Sequence, residues 1–258
     1  MNILFHSLYP ELLGEQPKHI REIKGTVEIF TDDSILTANN PNGIAMLVEP
    51  RSIIPHVYEY IEENYSKFRN VFTFDSVLLE KVNNAKLLLF GTAYAYFDEP
   101  KIKAISMVCS DKGSCAGHKQ RKELAMSLKG TIDTYGKFDG GKYADIRDVL
   151  APYKFNVAVE NYKDGFYFTE KICNCFASRT IPIYYGSDNI TEFFNPDGII
   201  MAEISDIPSI IEHLDVDYEY EKRLPAIEDN LNRVKKYSSF GGTFFRMYSN
   251  YLKEVAEV

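Results

Sequence analysis

Tryptophan is absent from this 258-residue chain, and its four cysteines include no C-x-x-C pair. No histidine stands beside them at a zinc-type spacing, so nothing in the pattern points to a structural zinc site. Cys109, Cys115, Cys173 and Cys175 therefore read as free, partly buried thiols of a reducing compartment. Basic residues are the minority, 29 Lys and Arg against 37 Asp and Glu, for a net charge of -8. That balance argues against nucleic acid or an anionic membrane as the main partner, since both demand a basic surface. It leaves room for a local basic pocket that takes a small anion. Long hydrophobic runs are missing as well. The longest, KLLLFGTAYAYF (86–97), is too short to span a bilayer. The opening MNILFHSLYPELLGE has no basic region followed by an apolar stretch. The expectation is a soluble cytoplasmic protein without a transmembrane segment. There is no G-x-x-x-x-G-K-[ST], no G-x-G-x-x-G and no G-x-S-x-G, which weakens P-loop, standard dinucleotide and α/β-hydrolase readings.

What the chain does contain is alternation. Short apolar, β-prone runs fall at 2–6, 26–31, 44–49, 70–74, 86–91, 105–110, 132–137, 155–160, 181–186 and 198–202. Helical patterns occupy 52–68, 76–83, 117–129, 143–151, 169–178 and 206–213, then about 218–237 and 240–256. Strands alternating with helices predict parallel sheets of βαβ units. Near-continuous apolar strands such as FNVAV fit sheets covered on both faces. The Pro-bearing, charged stretch YFDEPKIKA (96–104) is the best linker, dividing the chain into two α/β halves, 1–103 and 104–258. Ligands of open parallel sheets bind beyond the carboxyl ends of the strands.

Three groups of residues carry chemistry at such positions. In KGSCAGHKQRKELAMSLK (112–129) a Gly/Ser loop leads into a helix whose first turns hold His118, Lys119, Arg121 and Lys122. A strand, a loop and a basic helix start can cradle a phosphate; the same cations also fit a solvated face paired with nearby acids. In VENYKDGFYFTEK (159–171), Thr169 is placed to cap a helix with Glu170 at its first position and Ile172, Cys173 and Phe176 buried. Lys171 sits against the helix field, and its i+4 neighbour Cys175 offers no ion pair, so a bound anion would explain it. Asn161 and Tyr167 flank that loop as hydrogen-bonding groups for a ribose, a base or a sugar. Glu49 ends an apolar strand before Pro50, where it suits a general base, a helix-start acid or a partner of Arg51. The DVD triplet (215–217) reads as a solvated helix start rather than a metal holder.

The stretch YKFNVAVENYKDGFYFTEKICNCFASRTIPIYYGSDNITEFFNPDGII (153–200) resembles the donor-binding signature of glycosyltransferase family 10, the α-1,3/4-fucosyltransferases. The matching features are E-N after a strand, a short Gly/aromatic loop, TEK, a helix, IPIYYG and FFNP. VCSDKGSCAGHKQRKELAMSL resembles the preceding strand, loop and arginine-bearing helix. AMLVEPRSI with NVFTFD resembles the segment bearing the catalytic carboxylate. Tyr185 replaces the tryptophan of the usual YWG.

The resemblance implies a GT-B fold, two Rossmann-like domains with parallel sheets facing a central cleft. The first would be the acceptor side and the second the donor side, with the closing helix free to pack back on the first. It implies inverting transfer of L-fucose from GDP-fucose to a glycan hydroxyl, with no cofactor and no essential divalent metal. By position, Arg121 and Lys171 would neutralise the diphosphate, and Asn161 and Tyr167 would complete the donor contacts. Glu170 would lie near the fucose ring, and Glu49 would deprotonate the acceptor. The alternatives are another nucleotide-sugar donor, or a nucleotide-sugar-binding protein without turnover.

Overall fold

A computed structural model describes residues 1–256. Ten strands form two all-parallel, five-stranded sheets. The first holds β1 (Asn2–His6), β2 (Thr26–Thr31), β3 (Ile44–Met46), β4 (Asn70–Thr73) and β5 (Ala85–Leu87), in chain order across the sheet. The second holds β6 (Lys103–Val108), β7 (Asp133–Tyr135), β8 (Tyr153–Val159), β9 (Ile181–Tyr185) and β10 (Ile200–Met201), in the order β10-β9-β8-β6-β7. The helices are α1 (Lys18–Arg21), α2 (Pro55–Asn64), α3 (Ser76–Lys81), α4 (Ala116–Leu128), α5 (Ile146–Leu150), α6 (Glu170–Ala177), α7 (Ile207–His213), α8 (Val216–Val234) and α9 (Phe240–Ala256). The chain divides into two compact units, one of 1–90 with 164–167 and 238–258, the other of 91–163 with 168–237. Residues 88–102 carry no regular element.

In the first unit the two-residue strand period sorts side chains onto two faces. Ile44, Met46, Val48 and Phe72 join one core with Phe240, Phe244, Phe245 and Leu252 of α9. Ala45, Leu47 and Val71 turn to the other face and meet Val57, Tyr58, Ile61 and Leu78 of α2 and α3. The aromatic rings of Phe244, Tyr248 and Tyr251 stand edge-on to Phe72, a geometry that adds to their area burial.

Element ends follow local chemistry. The expected helix over 52–68 starts at Pro55, because the residue before a proline is pushed out of the helical region and proline suits the first helical position. Side-chain caps set four other starts: Asp75 for α3, Asp145 for α5, Thr169 for α6 and Asp215 for α8. Asp215 thus takes the helix-start role read for the DVD triplet. All four cysteines are buried and free.

Candidate donor site and candidate base

In the second sheet the chain runs from β6 to β7 on one side, then crosses to β8 on the other. The strand order therefore reverses between β6 and β8. A crevice opens at the carboxyl ends of neighbouring strands where successive connections leave in opposite directions. Two loops leave this point, 109–115 into α4 and 160–169 into α6. Every cation that the sequence singled out for an anion stands on these loops or on the helices they start.

Gly117 holds the two loops together. A Cβ at this position would lie 1.9 Å from the Asn161 carbonyl oxygen, so only glycine lets α4 begin against the β8 loop. His118 bonds Ser114 Oγ through Nδ1 at 3.0 Å and meets the Asn161 amide at Nε2, 3.4 Å away. Burial, then the charges of Arg121, Lys112 and Lys171, hold the His118 pKa below its ordinary value. The ring is therefore kept neutral at physiological pH.

Arg121 is buried, with 8% of its surface exposed. Its guanidinium touches the Val159 carbonyl and Ser110 Oγ, each at 3.4 Å, and its Nε has no partner. Among the described residues no carboxylate pairs with it. A buried cation without an anion costs several kcal/mol. The reading of these cations as paired with nearby acids therefore fails at the buried guanidinium of Arg121. Lys119 and Lys122 are exposed on the same helix.

Lys171 differs from expectation. Its ammonium lies 2.9 Å from Glu160, 2.8 Å from Thr169 Oγ1 and 3.5 Å from Glu170. The sequence suggested no ion partner because only the helical i+4 position was considered; the partner comes from the end of β8. Burial opposes the charge on Lys171, but Glu160 and then Glu170 outweigh it, and its pKa lies above the ordinary lysine value. Burial likewise opposes the charge on Glu170, yet Lys171, its own N–H and the Thr169 side chain hold its pKa below the usual range.

Glu160 is the residue that sequence reasoning missed. It is fully buried, and its carboxylate accepts the Thr169 N–H at 2.9 Å, the Thr169 hydroxyl and the Lys171 ammonium. The signal was an acid closing the apolar run FNVAVE, since a carboxylate at a buried strand end requires donors. The site thus fixes Lys171 through Glu160 and leaves Arg121 as its uncompensated charge. Beside Glu170 and Lys171 lies a cavity of about 80 Å³, lined also by Tyr94, Val108, Val159 and Asn174.

The other two site residues belong to the first unit. Tyr167 is buried, its ring 4.7 Å from that of Phe74. Its loop is anchored where Asp164 accepts the Ser76 N–H at 3.1 Å and hydroxyl at 2.8 Å. Glu49 lies three residues beyond the end of β3. Its carboxylate is 3.5 Å from the Tyr9 hydroxyl, and its carbonyl accepts the Tyr58 hydroxyl at 3.0 Å. It does not pair with Arg51, which is taken by Asp75 and Glu62. Among the described residues no cluster of three or more His, Cys, Asp or Glu has the arrangement of a metal site.

The fold defines the class. It is GT-B, similar to a solved α1,3-fucosyltransferase with GDP (TM-score 0.58, 15% identity, 98% of this chain and 90% of that one). TarM is similar over 88% of this chain and 54% of that one (TM-score 0.57, 14% identity). Residues 99–221 match the family described as glycosyltransferase family 10 (fucosyltransferase) C-term, so the resemblance to family 10 holds over this stretch. The chain is 38% identical over 68 residues to alpha-(1,3)-fucosyltransferase FucT of Helicobacter pylori, covering 26% of this chain and 14% of that protein. It is 27% identical over 88 residues to an alpha-(1,4)-fucosyltransferase of Arabidopsis thaliana (34% and 22%). It is 36% identical over 74 residues to GDP-fucose protein O-fucosyltransferase 3 of Homo sapiens (27% and 15%). The chain thus matches less than a quarter of the length of these relatives. No helix among the described residues is long and apolar enough to cross a membrane.

Proposed function

We propose that the protein is an inverting fucosyltransferase that uses GDP-fucose and needs no metal. One observation carries this reading: Arg121 is a buried guanidinium with long contacts, an unpartnered Nε and no carboxylate, at the switch point of a parallel sheet. The diphosphate of GDP-fucose supplies the missing anion. Lys171 has three N–H donors; Glu160 and Thr169 take two, and the third is directed to Glu170 or the donor. Asn161 and Tyr167 complete the donor contacts, and Glu170 stands by the sugar ring as positive charge develops there.

In the reaction Glu49 accepts the proton of the acceptor hydroxyl. The freed oxygen attacks the anomeric carbon on the face opposite the departing GDP, which inverts the centre. The pyrophosphate gains negative charge as the bond breaks, and a preorganised cation stabilises that charge without reorganising. Removing one such contact costs about 2.7–4 kcal/mol of barrier, or roughly 10²–10³ in rate. Arg121→Ala and Lys171→Ala are therefore expected to lower fucose transfer by about that factor while the protein stays folded. Near-normal transfer by either variant would reject the donor site. Thermal shift with GDP-fucose, GDP-mannose and UDP-sugars at equal concentration selects the donor, since a native-state ligand raises Tm more the more tightly it binds.

A further inference from the structure

Asp32 directly follows β2 and opens the short 3-10 turn over Asp32–Thr37. It is 5% exposed and adopts φ 47°, a left-handed conformation that a non-glycine residue takes only when its surroundings hold it there. Its side chain does not cap its own turn: Thr31 and Ser34 form that capping box, and Ser34 also donates to the His6 carbonyl at 2.7 Å. The carboxylate instead crosses to the end of β3, where Oδ1 accepts the N–H of Val48 at 2.8 Å and of Glu49 at 3.2 Å. The Tyr58 hydroxyl holds the Glu49 carbonyl from α2. The backbone of Glu49 is thus gripped on both sides, while its carboxylate meets the Tyr9 hydroxyl at 3.5 Å.

We propose that Asp32 is the positioning residue for the base Glu49, its carboxylate fixing the backbone from which Glu49 reaches the acceptor hydroxyl. The inference rests on the fucosyltransferase reading of Glu49. Charged N–H···O⁻ bonds are about twice as strong as neutral ones, so the clamp weakens when Asp32 takes a proton. The groups that set that proton are few: Glu49, Asp33 (itself bound to His56 of α2 at 2.7 Å) and Tyr9 from the loop after β1. Burial first, with Glu49 and Asp33 adding to it, outweighs the two amide donors and raises the Asp32 pKa to about 6.

The test is transfer kinetics across pH 5–8 for wild type, Asp32→Asn, Asp32→Ala and Glu49→Gln. Asparagine keeps an oxygen for both amides but cannot titrate. Asp32→Asn, neutral like protonated Asp32, is expected to hold across pH 5–8 the lower rate that wild type reaches below pH 6, and so to lose the acid limb near pH 6. Asp32→Ala is expected to lower kcat about tenfold or more with donor KM unchanged, since the base is misplaced and the donor is not. Wild-type kcat in Asp32→Ala, or an unchanged acid limb in Asp32→Asn, overturns the inference; the second outcome stands even if the alanine variant does not fold. Wild-type transfer by Glu49→Gln would instead overturn the role of Glu49 itself.

Discussion

Single residues in this protein carry charge in places where charge is costly, and they differ in how that charge is met. Glu160 finds Lys171 and Thr169, whereas Arg121 meets a carbonyl and a hydroxyl and, among the described residues, no carboxylate. Asp32 has a stability consequence separate from its kinetic one. Its folded pKa of about 6 exceeds the reference value of 3.8, so the folded chain binds more protons than the unfolded chain between those two values. Stability therefore falls as pH rises from about 4 to about 6 and stays lowered above that, by about 3 kcal/mol at 1.36 kcal/mol per pKa unit. Asp32→Asn removes this penalty and keeps the acceptor oxygen. Denaturant unfolding at pH 7.5 is expected to find the variant more stable by up to that amount, and at pH 4 to find little difference. The unfavourable charge is then the cost of a preset base, a trade common at working sites. Of these residues, Arg121 and Lys171 were legible from their types and places. Glu160 and Asp32 were not: the partners of Glu160 lie at the far end of the loop after β8 and those of Asp32 at the end of the neighbouring strand β3, and only the fold brings them together.

At the scale of elements, sequence periodicity found nearly every strand and helix, and the differences lie at the ends. The strand expected over 44–49 stops at Met46. Leu47 still donates to the Phe72 carbonyl, but the next two N–H groups go to the Asp32 carboxylate instead of a neighbouring strand. A side chain from the turn after β2 therefore ended β3, and no propensity could have signalled it. The short α1 and the 3-10 turn at 32–37 were missed for a simpler reason: segments of four to six residues are too short to display an apolar period. The start of α4 against the β8 loop depends on Gly117. Gly117→Ala is expected to force α4 and Asn161 apart, weaken GDP binding about tenfold or more and lower Tm. If the GDP-induced rise in Tm matched wild type, these two loops would not be the donor site.

At the scale of the whole molecule, the first unit is assembled from three stretches of chain, and α9 supplies one face of its core. The sequence placed α9 as a helix but left its partner open, because an amphipathic helix does not name the sheet it covers. The chain as a whole carries a net charge of -8, so its long-range field repels anions. On the proposed function, binding of a nucleotide diphosphate depends on a few cations held out of water, above all Arg121. Calorimetric titration of GDP into wild type and Arg121→Met, at one fixed salt concentration, tests this most directly. Wild type is expected to bind and Arg121→Met to bind at least about 100-fold more weakly, matching the loss of roughly 2.7 kcal/mol that one buried charged contact provides. Equal affinity in the two proteins would contradict the account.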